Sequence, residues 1–310
     1  YGDHRDLHLS IRRQRQMCIR DRYHALKGDT PSLDFFKNPS LAAKATLDAQ
    51  RILGVDAAIM FADLLPVLEP MGLNLDYKPG VGPVFENPLR DQQAIEALTV
   101  VPAEEGCGYI VETLGRIRSD LPQEVALIGF AGAPFTLACY AVEGKSSRNY
   151  AHVKGLMYDH EVLWQSLMDK LVDTVADYVR LQIASGAQAI QLFDSWVGCL
   201  SMADYERYVA PATRRLTLSI QGKVPIIYFG TGNAHLLDAM YATGPDLMAL
   251  DWRVPLVETW DRLGSRAIQG NLDPIALCGR SSSMISQARN LLNEVGGRPG
   301  HIFNLGHGIV

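Results

Sequence analysis

Seven segments of the chain share one design, in which an apolar run rich in β-branched residues ends in a polar residue within a turn marked by glycine or proline. Helical patterns lie between them, and strands that alternate with helices predict a parallel α/β sheet. The segments are Val55–Leu65, Val125–Pro134, Ala187–Trp196, Val224–Gly232, Leu247–Arg253, Arg266–Pro274 and His301–Ile309. Because polar side chains follow nearly every strand, the pattern favours a closed (β/α)8 barrel, the TIM barrel, over an open sheet.

The first 22 residues do not fit this pattern, since they have no hydrophobic period and contain six arginines and three aspartates. An arginine-rich transit peptide is disfavoured because such peptides are poor in acidic residues. A basic arm for nucleic acid is a second interpretation. A third accounts for the whole segment: YGDHRDLH and RRQRQMCIRDR resemble translated sequencing adaptors, separated by a variable index at Leu9-Ser10-Ile11. We therefore expect residues 1–22 to be non-native and to make no specific contacts with the barrel.

A (β/α)8 barrel requires an eighth strand before Val55–Leu65 and an eighth helix after His301–Ile309. Adaptor-like residues stand where the first strand is expected, and the chain ends at Val310. We therefore expect residues 23–310 to form one barrel domain whose native first strand and last helix are missing.

The chain after residue 22 is acidic, because leaving out six arginines and three aspartates changes the formal net charge from −5 to −8. This charge argues against binding to nucleic acid or to an anionic membrane. The best candidate for a membrane span, Val175–Phe193, is interrupted by Asp177 and Arg180, so no such span is predicted. Scattered cysteines favour a reducing, cytoplasmic location; they are Cys18, Cys107, Cys139, Cys199 and Cys278.

Asp63 follows the apolar run Ala57-Ala58-Ile59-Met60-Phe61 at the end of the first visible strand. A buried carboxylate is costly unless it is hydrogen-bonded, so we expect the site to offer it N–H donors from the protein or from a ligand. The alternative is a helix N-cap before Leu64-Leu65-Pro66, which contributes about 1 kcal/mol. The sequence leaves both interpretations open.

Two other kinds of active site find little support in the sequence. Ser195 and His307 suggest a hydrolase with Asp63 as the third member, but the G-x-S-x-G motif is absent around Ser195. A metal site lacks an H-E-x-x-H motif, a His-x-Cys pair and cysteines spaced as ligands. Its candidate ligands would be Asp63, Asp194, Asp251, Asp273 and His307.

Several motifs occur in order between Tyr23 and Val310 without large gaps. They are FFKNP, DAAIMFADLL, GFAGAPFTLACYAVEG, SGAQAIQLFDSW, LDWR, QGNLDP and FNLGHGI. Together they resemble the uroporphyrinogen decarboxylase family. The resemblance implies removal of the carboxyl groups from the four acetate side chains of uroporphyrinogen, which gives coproporphyrinogen in haem biosynthesis. It also implies a TIM barrel that uses no metal or organic cofactor and usually forms a homodimer.

The resemblance also assigns residues. Asp63 matches the family's aspartate, whose carboxylate lies under the pyrrole N–H groups, which implies both substrate anchoring and stabilisation of a cationic pyrrole. Position alone makes Tyr140 a core or wall tyrosine. By the family match, Tyr140, Ser195 and His307 contact substrate carboxylates or position the macrocycle, and Phe193 is a wall residue. The implied catalytic residues are Asp63 and Tyr140, and all five are implied to bind substrate.

One departure from the family is serious. The family's first strand carries an Arg-Gln-Ala-Gly-Arg motif shortly before the tyrosine that Tyr23 matches, and adaptor-like sequence stands there in this chain. Those arginines bind substrate carboxylates, and one is a candidate proton donor. Arg253, Lys145 and Arg148 remain near the mouth, which is insufficient for a polyanionic substrate on an acidic protein. We therefore expect the chain as written to be a poor enzyme or none.

Two alternatives remain. A corrinoid-linked methyltransferase of the same superfamily would carry a zinc-bound thiol site with a His-x-Cys pair, which this sequence lacks. The other alternative is a truncated barrel that binds a tetrapyrrole without turning it over.

Overall fold

The computed structural model describes residues 21–308, so our expectations for residues 1–20 lie outside the described residues. The strands in this range are β1 (Ala57–Ile59), β2 (Leu75–Lys78), β3 (Gly82–Phe85), β4 (Ala126–Gly132), β5 (Ala189–Asp194), β6 (Ile226–Gly230), β7 (Leu247–Ala249), β8 (Ile268–Leu272) and β9 (His301–Leu305). Seven of them form one sheet in the order β1-β4-β5-β6-β7-β8-β9. Every neighbouring pair in this sheet is parallel. Each strand lies within one of the seven predicted segments, so the predicted parallel α/β sheet is confirmed.

The large sheet curls around an inner face. Gln269 on β8 donates a hydrogen bond from Nε2 to Oε1 of Gln191 on β5 at 3.4 Å. These strands are three places apart, which in a flat sheet separates them by about 14 Å. The contact therefore requires strong curvature. An apolar cluster from β6 and β7 packs on the same inner face with Phe193 of β5, and its members are Ile227, Phe229, Leu247 and Ala249. The architecture is that of a TIM-barrel-like α/β fold.

The curled sheet remains open between its first and last strands within residues 21–308. Strands β1 and β9 each have one hydrogen-bonded neighbour in the sheet. Apolar side chains are exposed on both, with 41% of Ile59, 44% of Ile302 and 40% of Phe303 accessible. In a closed barrel an eighth strand would pair with both edges.

Helices cover the outer face of the sheet. Their bounds are Ser32–Lys37, Pro39–Leu53, Gln92–Glu96, Ala103–Cys107, Tyr109–Asp120, Pro134–Glu143, Ala151–Asp159, Glu161–Ala184, Met202–Asp204, Ala210–Ile220, Leu237–Tyr241, Leu256–Leu263 and Ser281–Val295. Residues 21–27 are also helical, a π-helical turn spans Tyr205–Val209, and short 3-10 turns span Pro66–Leu68, Val197–Cys199, Ala234–Leu236 and Pro274–Cys278. Among residues 21–308, no helix combines the length and the apolar character needed to cross a membrane.

Local sequence signals place the helix that leads into β1. Asn38 accepts a hydrogen bond from the Leu41 N–H at 3.1 Å and so caps Pro39–Leu53, while Gly54 ends it with a φ of 62°. This is the cap, proline and glycine arrangement that the sequence predicts. The pattern over residues 104–119 predicts one helix, and the structure divides it into two at Gly108.

The Gly- and Pro-rich connection over residues 66–88 is an insertion with its own structure. It begins with the 3-10 turn Pro66–Leu68 and continues into an antiparallel hairpin of β2 and β3. The hairpin is tied to the barrel because the Phe85 N–H donates to the carbonyl of Gly144 at 2.7 Å. It thereby holds Tyr77 of β2 close to Asp63 at the end of β1.

Candidate active site

Asp63 lies just beyond the carboxyl end of β1 and is partly buried. Its Oδ1 accepts a hydrogen bond from the Leu65 N–H at 3.0 Å, which is the local turn contact that the capping interpretation expects. Burial raises the pKa of the Asp63 carboxyl, although nearby N–H and hydroxyl donors lower it. No arginine or lysine of the described residues forms an ion pair with it. Asp63 is thus a largely desolvated carboxylate that lacks a cationic partner in this part of the chain.

Three tyrosines surround this carboxylate. Burial is the main cause of the raised pKa of Tyr77, Tyr140 and Tyr178, and the negative charge of Asp63 raises each of them further. The pKa of Tyr140 is raised to about 12. The Tyr77 hydroxyl is buried next to Asp63 and lacks a hydrogen bond of ordinary geometry. All three hydroxyls therefore stay protonated near neutral pH, and the group can donate hydrogen bonds to anions.

Tyr140 connects Asp63 to the end of β5. It lies near the end of the Pro134–Glu143 helix, which follows β4 directly. Its ring centroid is 5.7 Å from that of Trp196, the residue after Ser195. The Ser195 carbonyl accepts a hydrogen bond from the Thr231 hydroxyl, beyond β6, at 2.6 Å. Residues that follow β1, β4, β5 and β6 therefore lie close together at this end of the sheet.

The inner wall below this rim is aromatic. The Phe193 ring lies 5.9 Å from Phe130 of β4 and 5.8 Å from Phe229 of β6, both edge-on. The ring of His307, which is exposed after β9, lies 6.4 Å from Phe229 and 6.0 Å from Trp252. Apolar rings with a polar rim above them suit a ligand with an apolar body that carries polar groups at its edge.

Asp194 does not face the mouth, although it is the neighbour of Ser195. It is completely buried behind the sheet, where it accepts hydrogen bonds from the Thr136 hydroxyl at 2.7 Å and from the Tyr228 hydroxyl at 2.8 Å. Thr136 Oγ1 also accepts from the Trp196 N–H at 3.2 Å. Asp194 therefore links the Pro134–Glu143 helix, which carries Tyr140, to the end of β5.

Replacing Asp194 with alanine is expected to destabilise the fold by about 2–4 kcal/mol, because two buried hydroxyls lose their acceptor. Burial raises the pKa of Asp194 to about 6, above its value in the unfolded chain. The wild-type stability from this group is therefore present at low pH and is lost as pH rises through about 6. Denaturant unfolding should show a larger deficit for Asp194→Ala at pH 5 than at pH 8. The control Asp169→Ala removes an exposed ion pair with Arg215 and should lower the unfolding free energy by under about 1 kcal/mol. A loss of stability in Asp194→Ala that is the same at both pH values would contradict the raised pKa of Asp194.

The remaining acidic candidates also have local partners. Asp251 is fully buried, and its carboxylate accepts from the Gly232 N–H at 2.6 Å and from Arg253 Nη1 at 2.7 Å. Asp273 accepts from the Ile275 N–H at 2.8 Å and caps Pro274–Cys278. Within residues 21–308, no group of three or more His, Cys, Asp or Glu side chains is arranged to hold a metal ion. The structure thus brings Asp63 and Tyr140 together and links Phe193, Ser195 and His307 around the same end of the sheet.

Comparison with known proteins gives the family. The family model for uroporphyrinogen decarboxylase (URO-D) matches residues 13–310. The chain is 48% identical over 291 residues to the uroporphyrinogen decarboxylase of Koribacter versatilis, which covers 93% of this chain and 83% of that protein. It is 47% identical over 290 residues to that of Sorangium cellulosum, with the same two coverages of 93% and 83%. This chain belongs to the uroporphyrinogen decarboxylase family.

Solved structures agree with a TIM-barrel-like fold for this uroporphyrinogen decarboxylase family member. A methyltransferase from Methanosarcina mazei superposes with a TM-score of 0.76 at 18% identity, covering 92% of this chain and 84% of that one. A B12-independent methionine synthase from Shewanella reaches 0.54 at 10% identity, covering 87% and 81%. At these identities the likeness concerns the fold alone.

The family match also bears on the start of the chain. The matched range begins at residue 13, inside the segment that we expect to be non-native. Residues 1–20 lie outside the described part, so the non-native origin of residues 1–22 stays a prediction.

Sequence reasoning missed two tyrosines beside Asp63 and gave Asp194 the wrong surroundings. Tyr77 could not be found because its approach to Asp63 depends on the β2–β3 hairpin folding back. Tyr178 lies in the middle of Glu161–Ala184, where it looks like any buried helix residue. Asp194 was considered only as a metal ligand, although it packs behind the sheet against Thr136 and Tyr228. The available signal for it was strand alternation, which puts neighbours on opposite faces.

Proposed function

We propose that this protein decarboxylates the four acetate side chains of uroporphyrinogen III and yields coproporphyrinogen III for haem biosynthesis. One observation supports the proposal most strongly: Asp63 is a desolvated carboxylate without a cationic partner among the described residues, at the strand ends of a chain from this family. Such a group is stabilised when a ligand brings N–H donors or positive charge to it.

In the proposed reaction, the pyrrole ring that carries an acetate is first protonated at carbon. The bond between the methylene carbon and the carboxylate then breaks, and its electron pair flows into the cationic ring as carbon dioxide leaves. A proton added to the methylene carbon forms the methyl group, and the ring carbon then releases the proton that it took up in the first step, which restores the neutral aromatic pyrrole. The substrate serves as its own electron sink, so the mechanism needs no metal and no organic cofactor. Asp63 accepts hydrogen bonds from the pyrrole N–H groups and stabilises the positive ring.

The other four residues bind and orient the macrocycle. Tyr140 keeps its proton, because its pKa is raised to about 12, and donates a hydrogen bond to a substrate carboxylate next to Asp63. Ser195 and His307 are polar groups at the strand ends that contact further carboxylates. Phe193 supplies the apolar wall against which the macrocycle packs.

The remaining assignments follow from the family and from composition. We propose a cytoplasmic enzyme that acts as a homodimer and binds neither nucleic acid nor membranes. We also propose that residues 23–310 form the catalytic domain and that residues 1–22 contribute nothing to it.

An anaerobic incubation with uroporphyrinogen III tests the proposal against the methyltransferase alternative. Products are oxidised and separated by chromatography, which resolves porphyrins with eight to four carboxyl groups. We expect stepwise loss of carboxyl groups, slow in the chain as written and faster in a chain that carries the family's first strand, and unchanged by a zinc chelator in both. Stoichiometric zinc in the purified protein together with no loss of carboxyl groups would favour a zinc-dependent methyltransferase instead. Tight porphyrin binding without any loss of carboxyl groups would indicate a binding protein.

A further inference from the structure

We propose that Arg253 binds a carboxylate of the substrate at the mouth of the barrel and that the residues around it hold its guanidinium group ready for this role. The proposal rests on the proposed function for the nature of the ligand. It assigns the anion-binding position to Arg253, a described residue after β7, which is not one of the five residues to which the family match gives a role.

The first step is that one edge of the guanidinium group is fixed by a buried anion. Arg253 Nη1 donates to Oδ2 of Asp251 at 2.7 Å, and the Arg253 backbone N–H donates to Oδ1 at 2.8 Å. Asp251 is itself immobile, because it is completely buried and also accepts from the Gly232 N–H at 2.6 Å. Its carbonyl accepts from Asn271 Nδ2 at 2.7 Å. The backbone N–H groups of Gly232 and Arg253 also stabilise the negative charge of Asp251. The carboxylate therefore positions the Arg253 guanidinium group while only part of its charge is balanced by that group.

The second step is that the plane of the guanidinium group is fixed by an indole. The Arg253 Cζ atom lies 3.7 Å from the centroid of the Trp252 ring, which is a close cation–π stack. The Trp252 backbone packs closely against Gly306, where an added Cβ atom would clash with the Trp252 nitrogen. Trp252 also packs edge-on against His307 at 6.0 Å. The stack therefore sets Arg253 beside His307 at the strand ends.

The third step is that donors remain for a ligand. A guanidinium group has five N–H donors and cannot be deprotonated in a protein. The bond from Nη1 to Asp251 is the one side-chain hydrogen bond that Arg253 makes to another described residue. Its side chain is 53% exposed, whereas the side chain of Asp251 is inaccessible. A planar, stacked and solvent-facing donor edge suits a carboxylate, which arginine binds through two parallel bonds.

Arg298 provides a matched control. It also stacks on an indole, with Cζ 3.9 Å from the Trp260 ring centroid, and it also pairs with an aspartate, Asp261. Its side chain is 39% exposed. It precedes β9, however, and therefore lies at the amino ends of the strands, opposite the mouth. Loss of either arginine removes a cation–π stack and an ion pair. The side chain of Asp251 is inaccessible and that of Asp261 is 63% exposed, so the unfolding free energy of both variants is measured alongside binding.

The experiment compares the wild-type chain with Arg253→Gln, Arg253→Lys and Arg298→Gln. Binding is measured in the chain as written, and turnover is measured for the same changes in a chain that carries the family's first strand. Binding is followed through the fluorescence of uroporphyrin III, the oxidised form of the substrate, and turnover through KM for uroporphyrinogen III. We expect Arg253→Gln to weaken binding and raise KM by roughly ten- to a hundredfold, as for the loss of a charged hydrogen bond. Arg253→Lys keeps the charge but loses the planar donor edge, so its dissociation constant and KM should lie between those of wild type and of Arg253→Gln. Arg298→Gln should stay within about twofold of wild type.

Salt dependence and unfolding separate binding from folding defects. Wild-type binding should weaken more steeply with salt than binding by Arg253→Gln, because one charge contact is lost. Arg253→Lys, which can still pair with Asp251, keeps the comparison informative if Arg253→Gln unfolds. Equal dissociation constants for the Arg253 and Arg298 variants would overturn the inference even in an active enzyme. A selective effect of Arg253 on porphyrin binding in a chain that releases no carbon dioxide would instead support the carboxylate site and reject the proposed function.

Discussion

Asp63→Asn is expected to lower turnover of uroporphyrinogen roughly 10²–10³-fold, the usual cost of removing one preorganised group that stabilises charge in the transition state. The amide has nearly the same shape, and its oxygen can still accept from the Leu65 N–H. It lacks the negative charge that offsets a cationic pyrrole. The loss should therefore appear in kcat, measured in a chain that carries the family's first strand.

The stability of this variant separates chemistry from folding. Because burial raises the pKa of Asp63, its ionised form costs folding free energy at neutral pH. This cost shrinks as pH falls through the folded pKa and is gone below the pKa of the unfolded chain. Asp63→Asn removes the cost, so its unfolding free energy at pH 7 should equal or exceed that of wild type. Asp56→Asn, an exposed change just before β1, is the matched control and should leave turnover unchanged. Near-wild-type turnover in Asp63→Asn would remove this carboxylate from the mechanism.

Replacing residues 1–22 with a first strand that carries the family's Arg-Gln-Ala-Gly-Arg motif is expected to raise turnover by roughly two to four powers of ten. Two arginines would each restore charged hydrogen bonds to substrate carboxylates, at about 1.5–3 kcal/mol per residue. About 1.4 kcal/mol corresponds to one power of ten in rate. The measurement is coproporphyrinogen formation by the grafted chain and by residues 23–310 alone.

A second graft with both arginines changed to glutamine distinguishes charge from barrel closure. Strands β1 and β9 have one neighbour each in the described sheet, and Ile59 and Ile302 are exposed there. Either graft should pair with these edges and slow amide exchange in both strands. Only the arginine graft should gain turnover. Equal activity in residues 23–310 and in the arginine graft would show that the motif is dispensable.

The sequence predicts the sheet well because its signals are local. Each strand is an apolar run closed by a turn, and caps such as Asn38 and Gly54 act within one helical turn. The Pro134–Glu143 helix was less visible, because nine of its ten residues are buried and it has no polar face to give a helical period. The Gly- and Pro-rich stretch over residues 66–88 exceeds the usual length of a βα loop, which predicts a functional loop or an inserted turn structure. The β2–β3 pairing itself is not visible in the sequence, since it is set by packing as well as by the Gly-rich turn.

The candidate site is predicted less completely, because it depends on which side chains converge. Asp63, Ser195 and His307 stand out since they follow strands directly, and parallel strands bring their carboxyl ends together. Tyr77 and Trp252 do not stand out, because the first depends on a folded hairpin and the second on close contact with Gly306. Strand alternation explains why Asp194 faces the helices while Phe193 lines the inner wall.

The central claim is that this chain provides a decarboxylase site built around Asp63. The most direct measurement is the number of carbon dioxide molecules released per macrocycle by the grafted chain and by its Asp63→Asn variant under anaerobic conditions. We predict four for the grafted chain, with coproporphyrinogen as the product, and almost none for Asp63→Asn in the same time. Release of no carbon dioxide by the grafted chain, or equal release by both proteins, would contradict the account.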